Sequence, residues 1–215
     1  MQCRSTSCPS KSSIAVDERS TRYRHGGAVV WLTGLPASGR STLARALDRR
    51  LFDRGGVPVF LDGDTLRAGL NSDLGFTAAD RSENICRLAQ VATHLARNGH
   101  IAIVAAISPS GEDRAQARRI AQGFFQEIYI STPAEVCESR DPKGHYAKAR
   151  SGAIKGFTGL GVDYETPTAA ELTIDTSDIS VPAAVDKIEN LLVKSQILPR
   201  LWSEVPGQRA RNFSE

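Results

Sequence analysis

Apolar and polar positions along this chain alternate between two rhythms, one of strands and one of helices. The continuous run Ala28-Val29-Val30-Trp31-Leu32-Thr33 reads as a strand buried on both faces. After it, Leu43, Leu47 and Leu51 recur every four residues and predict an amphipathic helix that ends at Gly55-Gly56. Residues 57–61 predict a second strand. Thr77 and Asp80 are helix start signals for a segment whose apolar face carries Ile85, Leu88, Ala89, Ala92 and Leu95 and which stops at Asn98-Gly99. Residues 101–107, the most hydrophobic run, predict a central parallel strand. A helix over about 112–122, a strand over 126–130, a short helix over 133–140, a strand over 172–175 and a helix capped by Ser180 complete the pattern. Strands that alternate with helices predict an α/β fold, a three-layer sandwich around a mainly parallel sheet.

Residues 141–166 break the rhythm. Lys143, Lys148, Arg150 and Lys155 stand among glycines with little apolar periodicity, and a stretch of that length inside a domain reads as a basic lid. Residues 1–19 are expected to be a disordered tail, 20–198 the domain, and 199–215 a second tail. The 215 residues suit one α/β domain. A net charge of +3 is too small to argue for nucleic acid and sufficient for anionic small molecules. Cys3, Cys8, Cys86 and Cys137 lack metal-ligand spacing, which fits a reduced, cytoplasmic protein without structural disulfides. No apolar run is long enough for a membrane span, and the N-terminus lacks the apolar core of a secretion signal.

The chemistry begins where the first strand ends. Gly34-Leu35-Pro36-Ala37-Ser38-Gly39-Arg40-Ser41-Thr42 is a small-residue loop between a buried strand and a helix, the setting in which backbone N–H groups and a helix N-terminus converge on a phosphate. This P-loop pattern implies a nucleoside triphosphate, with Ser41 where a hydroxyl meets magnesium. Arg40 stands where the pattern asks for Lys. A chance Gly- and Ser-containing loop is the plain alternative, and the flanking strand and helix argue against it. Asp62 and Asp64 end the second strand, at the edge where open α/β sheets bind ligands; the plain alternative is that Asp64 only caps the next helix. Arg81, Glu83, Asn84 and Arg87 fall near the start of a helix, where two guanidiniums could address an anion or simply form a solvated face.

Several blocks together carry a resemblance: Asp62-Gly-Asp64-Thr-Leu-Arg67, Asp73-Leu-Gly-Phe76, Asp80-Arg81-Ser-Glu83-Asn84-Ile85, Ile107-Ser108-Pro109, Cys137-Glu-Ser-Arg140-Asp141-Pro142-Lys143-Gly144, and Ile154-Lys155-Gly156-Phe157-Thr158-Gly159. Over residues 20–195 the chain resembles the adenylylsulfate kinases. The resemblance implies a P-loop NTPase-type sandwich and ATP-dependent phosphorylation of the 3′-hydroxyl of adenosine 5′-phosphosulfate (APS), with Mg2+. It further implies a homodimer and a functional link to an ATP sulfurylase. Residue by residue it implies Gly34–Thr42 on the ATP phosphates and Ser41 and Asp62 on the metal. Asp64 becomes the acceptor of the hydroxyl proton, and Arg67, Arg81, Asn84, Ile107 and Ser108 become substrate contacts. Phe76 and Phe157 would flank the adenine, while Lys143, Lys155 and Gly156 belong to the lid. Ser108 also matches a position to which a phosphoserine has been assigned, although direct transfer to a hydroxyl beside Asp64 makes a covalent serine unnecessary. Arg40 counts as catalytic through its charge on the phosphates. Four positions depart from the family pattern: Arg40, Ala106, and the pair Ser110-Gly111 after Pro109. The wall changes leave open a related kinase acting on another nucleotide conjugate; Arg40 leaves open a nucleotide-binding protein of little turnover.

Overall fold

All seven residues of β1 (Ala28–Gly34) are buried, as their unbroken apolar run requires of a central strand. In this computed structural model, which describes residues 13–154 and 156–202, β1 lies between β3 (Ile101–Ala105) and β4 (Phe125–Ile130). With β2 (Pro58–Asp62) and β7 (Leu172–Ile174) at the edges, the order is β2-β3-β1-β4-β7, and every pairing is parallel. The chain thus crosses from β1 to one side and then to the other, and the reversal opens a crevice at the carboxyl ends of the strands.

Alternation along the strands divides the core into two layers. Val30, Leu32, Ile103 and Ile128 face α2 (Arg40–Asp53) and α8 (Val181–Lys194), meeting Leu43, Leu47, Leu51, Ile188 and Leu192. Val29, Trp31, Ala102 and Val104 face α4 (Ala78–Arg97) and α5 (Gly111–Ala121), meeting Leu88, Ala92 and Ala117. The helix starts follow the sequence signals: Thr77 accepts from the Asp80 N–H at 3.1 Å while Asp80 reaches back to the Thr77 N–H at 3.2 Å, and Ser180 accepts from Ala183. Short helices α3 (Gly63–Ala68), α6 (Ala134–Arg140) and α7 (His145–Arg150) and the small strands β5 (Phe157–Thr158) and β6 (Gly161–Val162) lie at the crevice edge.

Three expectations need correction. Residues 16–19, assigned to a tail for their polarity, form the start of α1 (Val16–Tyr23), where the Glu18 carboxylate accepts from the Ala15 N–H. Residues 199–202, also assigned to a tail, bring Trp202 to 3% exposure in the α2/α8 layer, with its indole N–H on Glu189 at 3.2 Å. A single aromatic in a polar segment gave no periodicity by which to find it. Cys86 is disulfide-bonded whereas Cys137 is a buried free thiol, so the chain is not free of disulfides; spacing alone does not determine pairing. Among the described residues no helix is long and apolar enough to cross a membrane.

Candidate active site at the carboxyl edge of the sheet

The loop from β1 to α2 is held in shape from below. Gly34 has φ +151°, and a Cβ there would stand 2.5 Å from the Ile130 carbonyl. Ala37, at φ 60°, adopts a left-handed conformation that costs a non-glycine residue about 1–2 kcal/mol, which is the kind of strain a ligand loop retains. The Ser38 carbonyl accepts from the hydroxyls of Thr132 and Thr176 at 3.1 and 2.8 Å, and Arg140 clamps Thr176 through its hydroxyl and carbonyl, both at 2.8 Å. Sequence reading passed over these threonines, because their value lies in contacts more than 90 residues away along the chain. Above this floor the Ser38 hydroxyl oxygen and the Arg40 Nε are buried and find no partner within the protein. Buried polar groups are normally bonded, so two orphans in one loop are the signature of a cradle for an oxyanion. Burial drives the Arg40 guanidinium down to about 10, while Tyr164, Asp64 and Asp62 pull it the other way.

The two carboxylates divide their work. Asp62, not Asp64, caps α3: its Oδ1 accepts from the N–H groups of Asp64 and Thr65 at 2.9 and 3.3 Å. Both bonds use the same oxygen. Asp64 is left exposed and pairs with Lys143 at 2.5 Å. That hydrogen bond holds the Asp64 carboxyl below the usual range, with Arg40 and His145 adding to the effect.

Arg67 and Arg81 stand close enough to repel. Burial and then Arg81 lower the Arg67 guanidinium, and Asp64 partly offsets both. Arg67 lies over the exposed Phe76 ring at 4.7 Å and donates to the Gly75 carbonyl. Arg81 joins two segments, donating to the Phe76 carbonyl at 3.0 Å and to the Gly156 carbonyl at 2.5 Å. Phe157 packs edge-on against Tyr146 at 5.0 Å, not against Phe76. Asn84 is buried and accepts from Asn71 at 2.9 Å. Arg87 is committed elsewhere, bonded to Asp73 through two nitrogens and to Glu83 through Nε, so only one of the two guanidiniums noted on this helix remains for an anion.

Lid and loop are in contact. The Tyr146 hydroxyl donates to the Pro36 carbonyl at 3.2 Å, and Lys143 reaches Asp64. Two open concavities of about 700 and 680 Å³ lie elsewhere, one along α5 and residues 165–169, the other beside His25 and Leu198. The covered edge, not these, carries the convergent polar groups. Lys155 lies outside the described residues.

Ser108 does not fit the role of a nucleophile. Its side chain is 2% exposed, accepts from the Trp31 indole N–H at 3.1 Å and donates to Thr33 at 2.9 Å. Nor do Ser110 and Gly111 leave an open wall. Ser110 caps α5, and the Glu165 carboxylate sits 2.8 Å from where a Cβ at position 111 would stand.

Fold and site together define a nucleotide-dependent phosphotransferase of the P-loop kind. The sequence pattern of the adenylylsulphate kinase family matches residues 26–175, and the chain belongs to that family. It is 48% identical over 187 residues to the adenylyl-sulfate kinase of Shewanella pealeana, covering 86% of this chain and 91% of that one. It is 47% identical over 188 residues to that of Clostridium acetobutylicum, covering 87% and 94%. The Mycobacterium tuberculosis APS kinase CysC, solved with AMPPNP and APS, superposes with a TM-score of 0.76 at 46% identity, covering 78% of this chain and 98% of that one.

Proposed function

We propose that the protein transfers the γ-phosphoryl group of ATP to the 3′-hydroxyl of APS, giving the 3′-phosphorylated nucleotide and ADP. One observation carries the reading. Asp64 lies within electrostatic reach of Arg40 on the phosphate loop, Arg67 on the acceptor side, and Lys143 and His145 on the lid. A carboxylate where those three groups meet can take a proton from a hydroxyl held in line with a phosphoryl group.

The backbone of Gly34–Thr42 cradles the phosphates of ATP, and Arg40 neutralises their oxygens. Arg67 and Arg81, two cations close enough to repel, bind the phosphosulfate. Asn84 and the backbone at Ile107 and Ser108 orient the nucleoside. Phe76 and Phe157 flank its base, and Lys143, Lys155 and Gly156 close over it. Proton transfer runs from the 3′-hydroxyl to Asp64, ionised because of Lys143. Positioning and charge do most of the work in such a transfer, and exclusion of water by the lid strengthens both. A Mg2+ ion fits the donors present: the Ser41 hydroxyl and the Asp62 oxygen that the cap leaves over are hard ligands of the kind it takes beside phosphates. When bound, Mg2+ draws charge from the phosphate oxygens. The homodimer and the link to an ATP sulfurylase rest on the resemblance, and the cytoplasmic setting on the cysteine spacing and the N-terminal sequence.

ADP release with magnesium-ATP, with and without APS, tests the reading. APS stimulates release by the natural protein, and Asp64→Asn lowers the stimulated rate at least about a hundredfold. Arg40→Lys raises it roughly tenfold, since a forked guanidinium follows the moving phosphoryl less well than a compact ammonium. Nucleotide binding without stimulation by APS in either protein overturns the acceptor assignment.

A further inference from the structure

The C-terminal root of the lid is fastened to the loop after β3. Glu165 donates its N–H to the Pro109 carbonyl at 2.9 Å, and its carboxylate accepts from the Gly111 N–H at 2.8 Å. The Arg114 guanidinium binds the carbonyls of Ser108 at 2.7 Å and Glu165 at 2.5 Å. Tyr164 is inserted between these bonds. Its ring stacks on Tyr129 of β4 at 5.8 Å, Arg114 lies over it at 5.5 Å, and its hydroxyl is 2.8 Å from that of Thr33.

Counting protons fixes the direction of every bond around Thr33. Its single hydroxyl hydrogen goes to the Ile107 carbonyl at 2.7 Å. Thr33 therefore accepts from both Tyr164 and Ser108, and Ser108, having donated, accepts from the Trp31 indole. All hydrogens point toward the Ile107 carbonyl, and each hydroxyl hydrogen is used. Burial pushes the Tyr164 phenol up to about 12, which keeps it a neutral donor across the working range. Thr33 directly precedes the phosphate loop, Ile107 and Ser108 belong to the acceptor-side loop, and Tyr164 ends the lid, so three parts meet on one oxygen.

We infer that Tyr164 is a positioning residue which, through the Thr33 hydroxyl, sets the Ile107 carbonyl against the phosphate loop and ties the root of the lid to both. The inference rests on the proposed function for its kinetic consequence and on geometry for its structural one.

The experiment is a double-mutant cycle. Tyr164→Phe keeps the stacking ring and loses only the donor; its kcat with ATP and APS falls roughly tenfold, while KM for ATP stays within about twofold. Thr33→Val falls at least as far, Thr33→Ser restores the hydroxyl and recovers most of the rate, and the Thr33→Val/Tyr164→Phe pair is no slower than Thr33→Val alone. A readout independent of the acceptor accompanies it: in 15N-labelled protein, the indole N–H signal of Trp31 shifts in Tyr164→Phe, whereas that of Trp202 does not. Wild-type kinetic constants and an unmoved Trp31 signal in Tyr164→Phe, or multiplicative losses in the double variant, overturn the inference. A wild-type protein unresponsive to APS overturns the proposed function instead, and the Trp31 signal then decides the inference.

Discussion

Asn71 has no exposed surface and no apolar reason to be buried. Its amide donates to Asn84 while its own Oδ1 goes without a partner. One acceptor site of the Asn84 carbonyl is thereby used, which turns its N–H donors toward a substrate. Asn71→Ala strands that carbonyl, so KM for the acceptor rises several-fold and stability falls by about 1–3 kcal/mol, as steady-state kinetics and denaturant unfolding will show. Lys143→Ala separates the two readouts. Its pair with Asp64 joins side chains that are 62% and 72% exposed, an arrangement that adds little to stability. We expect an unchanged Tm together with a clear drop in kcat/KM for the acceptor. At this scale the sequence was legible where a role follows from a residue's neighbours in the chain. Thr77 and Asp80 are an example; the pairing of Asp64 with the lid is not, since its partner Lys143 stands 79 residues away.

The element most legible beforehand was α2, because Leu43, Leu47 and Leu51 repeat with the helix period and all reach 0–1% exposure. The least legible was the segment after α8. Trp202 reaches the core as one side chain, edge-on to His25 at 6.2 Å and hydrogen-bonded to Glu189, with Gly56 leaving the room it fills. Trp202→Ala is expected to cost about 3–5 kcal/mol, read by denaturant unfolding, while kcat at 25 °C stays unchanged because the site lies at the other end of the strands. The lid falls between these cases. Its basic, glycine-rich composition announced a binding segment, but the helix α7 with Tyr146 at 2% exposure depends on the Pro36 carbonyl that it meets. Composition can announce a lid; only tertiary contact decides what it rests on.

The molecule as a whole has an acid-sensitive seam where its first strand begins. His25 is buried, its Nδ1–H on the Gly26 carbonyl at 2.8 Å and its Nε2 accepting from the Val57 N–H at 3.1 Å. Burial, with His100 nearby, holds its pKa below the ordinary 6.5. The unfolded chain therefore binds a proton near pH 6.5 that the folded chain refuses, so stability is complete above that value and declines as pH falls below it. Thermal unfolding between pH 7.5 and 5 should show this slope, reduced in His25→Gln. The central place of β1 also bears on how the protein is made. Its partners are Ile101–Ala105 and Phe125–Ile130, so a largely apolar strand waits for about 100 further residues before both edges are paired. At roughly 5–20 residues per second that is an interval of about 5–20 s at the ribosome. During synthesis the stretch that leads into the Gly34–Thr42 loop thus stays exposed long enough to need a chaperone's cover.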